Sequence, residues 1–231
     1  MTKLLIATRN AHKVGEIRAI LGAQFQFLTL NDFSDAPGVV EDAATFAGNA
    51  AKKAVELAKW VAEKHPTSNT EHRTPHFVLA DDSGLEVDAL NGAPGVHSAR
   101  FAAVDSAKSG NTPDSDNNAK LLQLLRGVLE EKRTARFRCV IALVAVPVGK
   151  IDAASPVCYT DEFEPQTFDG VCEGRIIFEP RGENGFGYDP LFVPVGFEQT
   201  FAELGEDVKN KLSHRAKALG KLKVFFGNKK R

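Results

Sequence analysis

Apolar residues in this chain fall in short runs, each cut off by a cluster of polar side chains, and that pattern leaves few folds open. Leu4–Ala7 gives way to Thr8-Arg9-Asn10, after which Val14, Ile17, Ile20 and Leu21 recur at helical spacing. A short run, then capping residues, then a helical period predicts strand, polar turn and helix. Phe77–Ala80 is a second such run, expected to end as a strand at Asp81-Asp82-Ser83-Gly84. The longest apolar stretch, Cys139–Val148, contains Pro147. A membrane span needs about 20 such residues, so a buried strand over 136–146 is predicted instead. Further strand is expected between Val157 and Phe178. Helices are expected over 45–63, with Phe46, Ala50, Leu57 and Val61 on one face, through Leu121, Leu122, Leu125 and Leu129, and from Glu206 to Phe226. Lys64–His76 and Asp105–Asp116 read as polar surface loops. Strands outnumber simple βαβ units in the middle of the chain, so the fold class is α/β with a mixed sheet.

With 231 residues, 43% apolar and 26% charged, the chain can bury its own core as one large domain or two small ones, and disorder is a poor reading. A formal net charge of −1 argues against a protein built to coat nucleic acid. The odd set Cys139, Cys158 and Cys172 has no CxxC spacing, which disfavours a disulfide framework or a zinc site. Leu4–Ala7 is too short for a signal peptide. These features imply a soluble protein of a reducing compartment, the cytoplasm, with neither a membrane nor a nucleic acid as partner.

Five polar clusters stand at the ends of apolar elements, where side chains can meet. Thr8-Arg9-Asn10-Ala11-His12-Lys13 opens a predicted helix, whose free N–H groups and dipole favour an anion; ordinary capping with a solvated lysine is the competing reading. The Walker pattern is absent, so a phosphate site here is of another kind. Glu41-Asp42 precedes the second helix, with Asn49 one turn in, and dipole compensation alone would explain it. The adjacent carboxylates Asp81 and Asp82 are costly after a buried strand unless a cation offsets their repulsion, and Mg²⁺ typically takes one or two carboxylates plus substrate phosphates; an Asp-rich turn capped by Gly84 is the competing reading. In the segment 181–190, glycines at 182, 185 and 187 let backbone approach a ligand, and Phe186 or Tyr188 offers a flat face for a base; a glycine-rich hairpin with core aromatics is the competing reading. Lys209-Asn210-Lys211-Leu212-Ser213-His214-Arg215 places cations on one stretch of a predicted helix, or forms a solvated basic face. Acids for a metal, cations for phosphates and an aromatic for a base together describe a nucleoside polyphosphate site without a P-loop.

The same residues resemble the inosine triphosphate pyrophosphatase family. The resemblance rests on Thr8–Lys13, Thr45-Phe46 with Asn49-Ala50, Ala80–Leu85, Gly92–Val96 with Ser98-Ala99-Arg100, Gly185–Pro190 and Ser213-His214-Arg215, in order along residues 4 to about 220. It implies hydrolysis of non-standard purine nucleoside triphosphates (ITP, dITP, XTP) to the monophosphate and pyrophosphate. The implied fold is one 1–231 domain, an elongated mixed β-sheet with flanking helices and two lobes around a central cleft, assembled as a homodimer. By the resemblance Asp82 is the catalytic carboxylate and, with Glu41, a Mg²⁺ ligand. Thr8, Arg9, Asn10, Ala11, His12 and Lys13 are similar to the phosphate-holding loop, with Arg9 where many members carry glycine. Ser83, Phe186, Gly187, Tyr188, Asp189, Lys209, His214 and Arg215 are similar to the nucleotide-binding positions. Rival readings are a Maf-type pyrophosphatase acting on modified pyrimidine triphosphates, a metal phosphatase releasing inorganic phosphate, and a non-catalytic module. Lys229-Lys230-Arg231 gives the last of these mild support.

Overall fold

In a computed structural model, which describes residues 1–64, 75–104, 110–147 and 163–228, the expected strand–turn–helix opens the chain. Strand β1 (Thr2–Ile6) leads through a polar turn into helix α1 (Ala11–Leu21), and the Asn10 side chain caps that helix by accepting from the Lys13 N–H at 3.1 Å. Strand β2 (Phe25–Thr29), which the sequence reading did not anticipate, follows a turn at Gly22. Helix α2 (Phe46–Lys64) begins where Thr45 accepts from the Gly48 N–H. Strand β3 (Phe77–Val87) comes next, then helix α3 (Asp114–Leu124) and strands β4 (Thr134–Ala145), β5 (Gln166–Ile176) and β6 (Phe192–Pro194). Three helices close the chain: α4 (Phe201–Leu204), α5 (Glu206–Leu212) and α6 (His214–Asn228).

The strands form one sheet in the order β2-β1-β3-β4-β5-β6. β1 runs parallel to both β2 and β3, whereas β5 and β6 are antiparallel, so the sheet is mixed. No helix among the described residues is long and apolar enough to cross a membrane. By internal contacts the chain divides into two compact units: residues 1–82, 140–168 and 222–231 form one, and 83–139 with 169–221 the other.

In the first unit, Leu4, Leu5 and Ile6 of β1 and Val78 and Leu79 of β3 are wholly buried. α2 buries Ala50, Ala54, Leu57 and Val61, an i, i+4 stripe that fits a helix covering a sheet. The second unit is built around aromatic rings: Phe192 lies 4.6 Å from Phe137 and 5.3 Å from Phe201, centroid to centroid. Here α6 starts against β5 with no gap, since a Cβ on Gly170 would stand 2.0 Å from the His214 carbonyl oxygen and 2.6 Å from the Ala218 nitrogen. Only glycine fits there, and the fit fixes where α6 begins.

Several expectations are corrected. β3 does not stop at Ala80 but carries Asp81, Asp82, Ser83 and Gly84 in extended conformation to Val87. Buried charge partners, described below, let a strand bear what looked like a polar terminus. The helix expected over 206–226 is two helices, because Ser213 adopts extended backbone (ψ 164°) and its hydroxyl accepts from the Ala216 N–H, starting α6 afresh. Asp114–Asp116 belong to α3 and not to the preceding loop, while Leu129 lies beyond that helix. Of the strand expected over 157–178, residues 166–176 are β5; 157–162, Cys158, most of the loop at 64–76 and Lys229-Lys230-Arg231 lie outside the described residues. Cys139 and Cys172 are buried free thiols.

Candidate active site

Charged side chains that a sequence would place on the surface are buried in each unit. In the first, β3 presents Asp81 and Asp82, 1% and 6% exposed. Lys13, on the first turn of α1, places Nζ 2.6 Å from Asp81 Oδ1. Lys53, one turn after Asn49 on α2, donates to the Asp81 carbonyl at 3.2 Å and pairs with Glu41 Oε1 at 3.0 Å. The irregular segment bearing Glu41 is held by Asn49, whose Oδ1 accepts from the Ala43 N–H at 2.9 Å. Arg9 reaches the same segment, donating to the Ala36 carbonyl, and Thr8 accepts from the Asn10 N–H. Ala11 and His12, exposed on the first turn of α1, complete the 8–13 stretch.

Asp82 differs from its neighbour. Its Oδ2 is buried and, among the described residues, has no hydrogen-bond partner. Burial pushes the carboxyl up to about 6; Lys13 and Lys53 pull it back, Glu41 pushes it further, and Asn49 lowers it. An orphaned carboxylate oxygen among two lysines and a second carboxylate fits a hard divalent cation, which would complete that oxygen's coordination. No group of three His, Cys, Asp or Glu suited to a metal exists among the described residues. Asp82 and Glu41 alone would supply two carboxylates to such a cation, a number that fits an ion that also takes water and substrate oxygens.

In the second unit the arrangement is closed. Lys209, 2% exposed, pairs with Asp189 Oδ2 at 2.5 Å, and the same oxygen accepts the Phe186 N–H at 2.9 Å. The turn that makes this possible needs glycine at 185: its φ is +79°, and a Cβ would lie 2.2 Å from Asp189 Oδ2. Lys209 Nζ stands 4.4 Å from the centroid of the half-buried Phe186 ring, a cation–π contact, with the Arg215 guanidinium at 5.9 Å. Arg215 is 1% exposed and donates to Ser83 Oγ at 2.8 Å. His214 stacks on Phe137 at 4.8 Å. Tyr188 belongs to the core, where burial pushes its phenol well up and its hydroxyl donates to the Ser98 carbonyl, whereas Phe186 is half-buried.

The sequence-derived residues thus gather in two sets: Lys13, Glu41 and Asp82 in the first unit, and Ser83, Phe186, Asp189, Lys209 and Arg215 in the second. Lys53 was missed. Its signal was a pair of polar residues, Asn49 and Lys53, four apart and interrupting the otherwise apolar stripe of α2.

The Ham1 family model matches residues 4–225. The chain is 47% identical over 220 residues to the dITP/XTP pyrophosphatase of Desulforamulus reducens, covering 95% of this chain and 92% of that one. It is 46% identical over 228 residues to the dITP/XTP pyrophosphatase of Geobacter sulfurreducens, covering 98% of each. The solved structure of a HAM1 protein from Coxiella burnetii matches with a TM-score of 0.73 at 34% identity, covering 99% of this chain and all of that one.

Proposed function

The chain belongs to the Ham1 family, and on that premise we propose that it is a nucleoside triphosphate pyrophosphatase. It hydrolyses non-standard purine nucleoside triphosphates (ITP, dITP, XTP) to the monophosphate and pyrophosphate, removing them from the nucleotide pool. The observation that carries the assignment of residues is the buried, unpartnered Asp82 Oδ2 beside Lys13, Lys53 and Glu41.

In this reading Asp82 and Glu41 hold Mg²⁺, and Lys13 and Lys53 bind phosphate oxygens, aided by the 8–13 turn at the start of α1. Bound Mg²⁺ neutralises phosphate charge and makes phosphorus easier to attack. Asp82 orients the attacking water and accepts its proton as the α–β anhydride breaks and pyrophosphate leaves. Most of the rate enhancement then comes from positioning and fixed charge, as phosphoryl chemistry requires.

The purine falls to the Phe186 cluster. Phe186 supplies the stacking face, and Asp189 and Lys209 hold the backbone beneath it. Hypoxanthine and xanthine carry an acceptor at O6, where adenine carries a donor amino group. Donors from Arg215, His214 or the Ser213 hydroxyl pair with O6 and face adenine's amino group with a second donor. Each buried mismatch of that kind costs about 1–3 kcal/mol. The same reading makes the protein a cytoplasmic homodimer.

Pyrophosphate release across a panel of ITP, XTP, dITP, ATP, GTP and modified pyrimidine triphosphates tests the proposal. Release from the first three above the rest is expected. Preference for a modified pyrimidine, or release of inorganic phosphate in its place, overturns the assignment. Mg²⁺ is expected to raise the melting temperature of the wild type but not of Asp82→Asn; equal shifts would remove Asp82 from the metal.

A further inference from the structure

The loop that carries Phe186 is gripped from a helix far away in sequence. The Gly187 N–H donates to Asp114 Oδ2 at 2.6 Å, and the Gly187 carbonyl accepts from Asn118 Nδ2 at 3.0 Å. Both side chains come from α3, one turn apart, so a single helix holds residue 187 by its nitrogen and its oxygen. Gly187 itself sits at φ +63°, in the left-handed region that glycine tolerates and that needs an outside partner to stay unique.

The consequence falls on Phe186. Its preceding peptide is fixed by the bond from Phe186 N–H to Asp189 Oδ2, and its following peptide by the bond from Gly187 N–H to Asp114. With both flanking peptide planes held, the Cα–Cβ direction of Phe186 is set and only its side-chain torsions remain. Asp189 is in turn locked by Lys209, so the ring is braced from α5 on one side and α3 on the other. An acid in the first turn of α3 offsets the helix dipole, but that role does not require the bond to the Gly187 N–H. Asp114 is an exposed residue, and the N–H it accepts could be satisfied by water with little effect on the fold.

We infer that Asp114 and Asn118 are positioning residues that hold Phe186 as a stacking platform for the purine, an inference that rests on the proposed function. They touch no substrate and act through the Gly187 backbone. Losing the grip frees the ring to sample orientations that do not stack, and binding then carries the cost of reordering it.

Steady-state kinetics on the full chain test this. Asp114→Ala is expected to raise KM for ITP about tenfold with kcat changed less than about twofold, the pattern of lost uniform binding. Asp114→Asn, which keeps an acceptor for the Gly187 N–H, is expected to restore the wild-type KM. In a Phe186→Ala background, Asp114→Ala is expected to change KM no further, because the residue it positions is gone. An unchanged KM for Asp114→Ala overturns the inference, as does an effect that simply adds to that of Phe186→Ala. The unliganded protein gives an independent readout: hydrogen exchange at the Gly187 amide should quicken at least about tenfold in Asp114→Ala, and equal rates would overturn the inference. A wild type that fails to cleave ITP while the exchange result holds would instead remove the proposed function.

Discussion

The two charged clusters solve opposite problems. In the second unit the buried cations Lys209 and Arg215 have their partners inside the protein. Lys209 meets Asp189 with both side chains almost wholly buried, and Arg215 reaches Ser83 while 1% exposed. In the first unit one demand is left open: among the described residues the buried Asp82 Oδ2 has no hydrogen-bond partner, while Glu41, about a third exposed, stands within an irregular segment and pairs with Lys53. A closed cluster holds a fixed shape against which a flat, largely uncharged ring can be compared. An open one stores an unmet demand for positive charge, which an incoming ion relieves. Recognition suits the first kind of site, and ionic chemistry the second.

The difference breaks most visibly at Asp82. Asp82→Asn is expected to lower kcat on ITP by about a thousandfold or more, measured as pyrophosphate release. The same change should stabilise the metal-free protein at neutral pH. The folded-state value of about 6 lies above the ordinary 3.8, so the fold favours the protonated carboxyl. Stability is therefore lost as pH rises from about 4 through 6, by a sum on the order of 3 kcal/mol. Asp82→Asn should abolish that loss, and a melting curve against pH, without metal, reads it directly. A variant that is less stable than wild type at pH 7.5 would contradict the open-cluster description.

Lys209→Met tests the closed cluster, since it strands Asp189 without its cation. Denaturant unfolding is expected to show a loss of about 3–5 kcal/mol. Arg215→Ala should narrow the ITP:ATP preference by about 10- to 100-fold, and this ratio is insensitive to how much protein is folded. Smallest in stability is Lys53→Met: its ion-pair partner Glu41 is partly solvated, so the cost is that of the lost hydrogen bond to the Asp81 carbonyl, about 1–3 kcal/mol, while ITP turnover falls. If Lys53→Met destabilised the fold as much as Lys209→Met, the contrast between the clusters would disappear.

Much of this was legible in the residues. The strand–turn–helix at 4–21, the apolar stripe of α2 and the strand expected over 136–146 all follow from local periodicity, and the structure has them, the last as β4 starting two residues earlier. What local pattern could not give was partnership at long range. Asp81 and Asp82 looked like the end of a strand because two carboxylates in a row are costly to bury. Only Lys13 on α1 and Lys53 on α2 make it possible for β3 to run on through them. The break at Ser213 was hidden for the converse reason, because Lys209–Arg215 reads as unbroken helix until Ser213 is seen capping α6. Tyr188 and Phe186 were equivalent in the sequence; the buried hydrogen bond from Tyr188 to Ser98 separates them. The grip of α3 on Gly187 spans 73 residues for Asp114 and leaves no periodic trace at all.

That β3 continues to Val87 bears on how the protein can adapt to what it binds. A carboxylate mounted on an interior strand of a six-stranded sheet is as immobile as the ladder around it, so Asp82 is a fixed reference point. Glu41 sits instead on an irregular segment tied down by side chains, with Lys53 on its carboxylate, Asn49 on Ala43 and Arg9 on Ala36. Side-chain ties yield more readily than the ladder of a sheet, so in the proposed reading any adjustment between ions of different radius is borne by Glu41 before it is borne by Asp82.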